Sequence, residues 1–111
     1  MAVKVLIKRK VPQGKEVDLV KLITRLRTMA TKQPGYISGE TMRNVQDKEA
    51  YLVISTWQSA EDWEDWKANE ERETIQADID DLLGDTTRYE VYQYPEKVSA
   101  RLSNFEGWEG G

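Results

Sequence analysis

Trp57, Trp63 and Trp66 fall within one stretch, Tyr51 to Trp66, and account for three of the chain's four tryptophans. Rigid indole surface concentrated in this way suits two purposes. It can wall a pocket for a flat ligand, or it can fill the space between a helix and a sheet, since aromatics at helical spacing pack together. Spacing alone leaves both readings open. On the first, Trp63 and Trp66 would sandwich a ring, with Trp57 as a further part of the pocket wall. Arg72 or Arg43 would neutralise negative charge on the bound molecule, and Gln76 or Tyr51 would hydrogen-bond its oxygen. Each of these has an ordinary explanation as well. Arg43 reads as a solvated surface charge, and Arg72 lies among Glu70, Glu71 and Glu73, where weak surface ion pairs are common. Gln76 fits a polar helix position, and a tyrosine hydroxyl such as that of Tyr51 often only satisfies a carbonyl.

The residues that are missing narrow the chemistry. The 111-residue chain has no histidine and no cysteine. That excludes a Ser-His-Asp triad, a thiolate nucleophile, a disulfide framework, and imidazole or thiolate ligands for a metal. The acidic runs Glu61, Asp62, Glu64, Asp65 and Asp78, Asp80, Asp81 resemble metal clusters. At helical spacing, however, most of them point to water, whereas hard cations need convergent oxygens from a folded loop, so no metal site is expected. A net charge of -4 argues against a dedicated nucleic-acid or anionic-membrane surface. Lys4, Lys8, Arg9 and Lys10 form a weak basic patch, which protection of an edge strand explains as well as ligand binding does. No apolar run approaches the roughly 20 residues that span a bilayer, and the start of the chain is too rich in lysine for a signal peptide. A cytoplasmic location is the expectation.

The elements that must position these residues are legible from periodicity. Ala2 to Lys10 alternates, with Val3, Val5 and Ile7 on one face and Lys4, Leu6 and Lys8 on the other, the period of a strand. Lys15 to about Thr31 carries Leu19, Leu22, Ile23, Leu26, Met29 and Ala30 as one helical stripe. Pro34 and Gly35 interrupt it. Strands are expected at Tyr36 to Arg43 and Ala50 to Trp57, joined by a polar connection. Ser59 and Asn69 each read as a helix cap, the first opening a short helix with Trp63 and Trp66, the second a longer one striped with Ile75, Ile79, Leu82 and Leu83. Gly84 stops it, and Thr87 to Tyr94 is a last strand. The order β-α-β-β-α-β predicts an α+β, ferredoxin-like domain over residues 1–95, with an antiparallel sheet and all helices on one face. Apolar side chains on both faces of the central strands predict a second sheet over the first, most simply in a homodimer packed sheet to sheet. Residues 96–111 read as a polar tail that either wanders or lays Phe105 and Trp108 on a neighbouring chain.

The sequence Trp57-Gln58-Ser59, with Trp66 nine residues after Trp57, and Pro34-Gly35-Tyr36 opening the second strand, resembles the antibiotic biosynthesis monooxygenase superfamily over about residues 2 to 95. The resemblance implies a dimeric α+β barrel and one of several activities, including cofactor-free oxygenation of quinol-type molecules and haem degradation. In the haem-degrading branch Trp66 would match a tryptophan that packs on the porphyrin. The axial histidine falls at Gln76 and the first-strand asparagine at Ile7. Haem is therefore disfavoured as a cofactor, and none is expected. The function implied is a cofactor-independent monooxygenase acting on an aromatic or quinone-like small molecule. The alternative is a non-catalytic dimeric module that binds an aromatic ligand or haem.

Overall fold

The computed structural model describes residues 1–95; the tail and its Phe105 and Trp108 lie outside the described residues. The elements run β1 (Val3–Lys10), α1 (Glu16–Ala30), β2 (Tyr36–Arg43), β3 (Ala50–Trp57), α2 (Ala60–Lys67), α3 (Glu70–Leu83) and β4 (Arg88–Gln93). They form one antiparallel sheet in the order β2-β3-β1-β4, the ferredoxin-like arrangement expected from the sequence. The second helical layer is split in two because α2 ends at Ala68 and Asn69 starts a new helix, its side chain accepting from the backbone N–H of Arg72 at 3.0 Å. Ser59 caps α2 in the same way, through Asp62 at 3.1 Å, and Gly84 ends α3 in the left-handed conformation with φ 68°.

Alternation in β1 sends Val3, Val5, Ile7 and Arg9 inward, each with 8 % of its surface or less exposed. They pair in register with Trp57, Ser55, Val53 and Tyr51 of β3. Two apolar clusters follow. One joins the inner face of the sheet to Ala30, Trp63 and Trp66, and the other joins α1 to α3 through Leu19, Ile75, Ile79 and Leu83. The opposite sheet face carries Leu6, Leu52 and Ile54, half-buried, beside exposed Met42 and Tyr92. One expectation is overturned here. β1 lies inside the sheet between β3 and β4, so Lys4, Lys8, Arg9 and Lys10 do not protect an edge. Lys8 and Lys10 face outward in ion pairs with Glu90 and Asp47, whereas Arg9 points into the core.

Gly35 fixes how β2 enters beneath α2. Its φ is +83°, and a Cβ there would lie 2.2 Å from Oδ2 of Asp62, the carboxylate that accepts from the Ser59 hydroxyl at 2.9 Å. Its carbonyl accepts from the N–H of Gln58 at 2.7 Å. Gly35→Ala is expected to destabilise the fold by about 2 kcal/mol or more, from the left-handed backbone and the overlap together. A lowered urea midpoint with an unchanged slope would show it.

Candidate functional site

Three tryptophans and two tyrosines form one aromatic block. Trp57 is fully buried. It meets Tyr36 edge-on at 5.3 Å, Trp63 at 6.1 Å and, nearly parallel, Trp66 at 6.4 Å between ring centroids. Trp63 continues the block to Tyr89 at 5.6 Å. The indole Nε1 of Trp57 donates to Ser55 Oγ at 2.8 Å, which satisfies it within the core. Trp63 and Trp66 combine both roles considered from the sequence. They belong to the core cluster, and they also line a small, partly open cavity of about 50 Å³ between the helices and the sheet.

That cavity has apolar walls from Ile7, Leu26 and Val53 and three cationic ones, Arg9, Arg27 and Arg72. An adjoining cleft of about 240 Å³ shares Arg9, Ile23, Arg27 and Val53 and extends past Tyr51 and Thr41. Cavity and cleft together make a slot between α1 and the sheet, the shape of space that takes a small molecule.

Two guanidinium groups are buried at this slot, and each is held by neutral acceptors. Arg9 donates from Nη2 to Gln76 Oε1 at 3.2 Å and from Nε to Thr87 Oγ1 at 3.3 Å. Gln76 passes the contact on, its Nε2 donating to Asp80 Oδ1 at 2.8 Å and to Thr87 Oγ1 at 2.7 Å. The hydroxyl and backbone N–H of Thr87 also donate to Asp80, at 2.9 and 3.3 Å. Burial favours the neutral form of Arg9 and lowers its pKa to about 10, with the nearby charges of Arg72 and Arg27 acting in the same direction and those of Tyr89 and Asp80 opposing. Arg9 therefore stays charged at neutral pH. Arg72 donates to the carbonyl of Lys67 at 3.2 Å and to the hydroxyl of Tyr89. Its guanidinium lies 5.7 Å from the ring centre of Trp63 and 5.3 Å from that of Tyr89, within cation–π range.

Of the residues singled out from sequence, Trp63, Trp66 and Arg72 meet at the cavity. Trp57 stands behind them, packed against Trp63 and Trp66. Tyr51 lines the adjoining cleft. Gln76 is buried and supports Arg9 from behind. Arg43 does not line the cavity or the cleft; it is the cross-strand partner of Tyr51 at the end of β2 and lines a separate groove with Arg9, Tyr51, Met42 and Asp47. Arg9 was missed as an inward-facing group because it sits between two lysines. The signal was present, since it has the parity of Val3, Val5 and Ile7. Haem does not fit these residues. Gln76, at the position the resemblance gives to an axial ligand, has both ends of its amide engaged, and the space beside Trp66 is far smaller than a porphyrin. Among the described residues no group of three or more carboxylates gathers as a metal site.

The fold and its slot define a ferredoxin-like α+β domain with an aromatic and cationic cavity. The sequence profile of the antibiotic biosynthesis monooxygenase family matches residues 2–78, and the chain belongs to that family. No curated protein matches it in sequence. Among solved structures, it is similar to a conserved protein from Methanosarcina mazei Go1 (17% identity, TM-score 0.78, covering 86% of this chain and 94% of that one). It is also similar to SnoaB, a cofactor-independent oxygenase from Streptomyces nogalater (14% identity, TM-score 0.74, 87% and 96% covered). Rv0793 from Mycobacterium tuberculosis shares the fold at 13% identity and TM-score 0.73, with 87% and 98% covered.

The Arg9 network generates a test of its own. Gln76→Leu removes an acceptor from a buried cation and is expected to cost about 1–3 kcal/mol. Adding Arg9→Met removes the stranded charge, so the double variant should be more stable than Gln76→Leu alone. Urea denaturation of the four-member cycle would measure both.

Proposed function

We propose that this protein is a cofactor-independent monooxygenase acting on an aromatic, quinol-like small molecule held in the slot between α1 and the sheet. The observation that carries this reading is the meeting of Trp63 and Trp66 with the buried guanidinium of Arg72 at one cavity. Membership of the family supports it, as does the likeness to a cofactor-independent oxygenase. An anthrone, the keto form of such a quinol-like phenol with a ring CH2 group, becomes on losing a proton an electron-rich carbanion able to reduce dioxygen itself. One oxygen atom then enters the ring as a carbonyl, and the other leaves as water with the two hydrogens of the oxidised carbon. For such chemistry the protein's tasks are to orient the ring, exclude bulk water and stabilise the anion. Indole faces serve the first two and Arg72 the third. Oxygen uptake with 1,8-dihydroxyanthrone is expected at one dioxygen per anthrone oxidised. Trp66→Phe, which preserves most of the core volume, should lower kcat/KM about tenfold or more. Tight binding of the anthrone without oxygen uptake would instead favour a non-catalytic aromatic-binding module.

The working unit in this proposal is a homodimer. Leu6, Leu52 and Ile54 on the open sheet face, bordered by Met42 and Tyr92, make an apolar surface of the kind that another sheet covers. A second copy of this chain supplies a surface of the same chemistry. Sedimentation equilibrium is expected to give a dimer for the wild type. Ile54→Lys should give a folded monomer, because it places a charge at the centre of that face. A wild-type monomer would refute this part of the proposal.

A further inference from the structure

The electrostatics of the cavity are one-sided. Arg9, Arg27 and Arg72 all line it, and among the described residues none of the three has a carboxylate within 4 Å; the ion pairs there are Lys8–Glu90, Lys10–Asp47 and Arg88–Asp85. Arg9 reaches Asp80 only through Gln76 and Thr87. Arg72 has only a peptide carbonyl and a phenol as acceptors. It also stands in the first turn of α3, where the helix dipole disfavours a cation, although the Lys67 carbonyl at the end of α2 offers partial compensation. Glu64 and Glu73 are near, but they line a surface groove on the outer side of Arg72. Glu16 lines the adjoining cleft. The walls of the cavity itself contain no acidic side chain.

A second observation is independent of the arginines. Trp63 is 1 % exposed, and its indole Nε1 is buried with no acceptor among the described residues. Buried indole N–H groups ordinarily find a partner. One cavity is therefore bounded by two buried guanidinium groups held only by neutral acceptors and by the ring of Trp63, whose own Nε1 lies in the packing behind that wall with no exposed surface. Guanidinium and indole groups cannot accept hydrogen bonds, so they cannot satisfy one another.

We propose that the ligand of this cavity binds as an oxyanion, an aromatic molecule carrying an ionised oxygen that Arg9 and Arg72 neutralise. The inference rests on the reading of the slot as an aromatic-ligand site and narrows it to acidic molecules. An acidic enol or phenol and a ring carboxylate present the same chemistry, charge on oxygen beside a flat apolar body. Arg9 anchors the anion from the sheet, its guanidinium oriented by Gln76 and Thr87. Arg72 approaches from the helix side, oriented by Tyr89 and the Lys67 carbonyl. Charge-assisted hydrogen bonds of this kind, formed away from bulk water, discriminate strongly against a neutral isostere, which leaves the donors unpaired.

Isothermal titration calorimetry with two matched pairs tests this. One pair is 2-hydroxy-1,4-naphthoquinone, ionised at neutral pH, and its neutral 2-methoxy analogue. The other is naphthalene-2-carboxylate and naphthalene-2-carboxamide. The wild type is expected to bind at least one anion about tenfold or more tightly than its neutral partner, and which pair shows the preference identifies the oxygen acid recognised. In Arg72→Met, and independently in Arg9→Met, that preference should collapse through loss of anion affinity, while the neutral analogues still bind, no more weakly than to the wild type because the unpaired donor is gone, an outcome that general structural damage would not give. Equal affinity for charged and neutral members would overturn the oxyanion proposal and leave the aromatic site intact. A preference that survives in both variants would also overturn it. Failure of all four to bind would sink the aromatic-site reading together with the proposal.

Discussion

A positive charge on a central strand, turned inward, is the constraint around which this small domain is arranged. Apolar alternation in β1 commits every second side chain to the core, and at Arg9 that commitment falls on a guanidinium. Removing such a group from water is costly unless acceptors meet it. Gln76 on α3 and Thr87, just ahead of β4, meet it, and Asp80 ties those two together. The network therefore links the middle of the sheet to the last helix and to the segment leading into the last strand, contacts 67 and 78 residues apart in sequence. The spacing of Gln76 and Asp80 on one helical face and the position of Thr87 after the left-handed Gly84 both follow from supporting that one charge.

The aromatic block answers the same constraint from the other side. Trp57, with its own N–H satisfied by Ser55, is a filled core and gives the block its rigidity. Trp63 and Trp66 lean on it and present their remaining surface to the cavity. Because α2 is short and capped at Ser59, the positions of these two rings are set at the helix start, where Gly35 lets β2 pass against Asp62. Arg72 is positioned by the next cap in turn, since Asn69 bonds its backbone N–H. Two local capping signals thus place a pair of indoles and a guanidinium around one space.

How much of this was legible in the sequence divides along the range of the interactions. The bounds of β2 and β3, both caps and the glycine stop follow from patterns within a few residues, and the structure reproduces them because strand alternation, cap hydrogen bonds and the left-handed turn are all decided locally. The slot is of another kind. Arg9 lies in a run with Lys8 and Lys10 that reads as a surface patch, and only strand parity separates the inward arginine from its outward neighbours. Gln76 drew attention for a position in the chain, whereas its partner is on a strand that no local pattern connects to it. Whether Trp57 or Trp66 would face the cavity turned on which ring the sheet covered, a question of tertiary packing that periodicity does not reach.

A fold shared across divergent relatives leaves chemistry to the lining of its cavity, and here the lining is unusual in sign. A slot meant only to bury a neutral ring would be more stable with apolar residues at Arg9 and Arg72, since well-packed hydrophobic replacements of buried charges are often neutral or stabilising. Keeping two guanidinium groups there, one of them in the first turn of α3, costs stability that folding alone does not recover. An anionic ligand, as proposed above, would supply the negative partner that neither guanidinium has among the walls of the cavity. That argument makes the cavity's charge its most specific feature, ahead of its aromatic walls, which the core would need in any case.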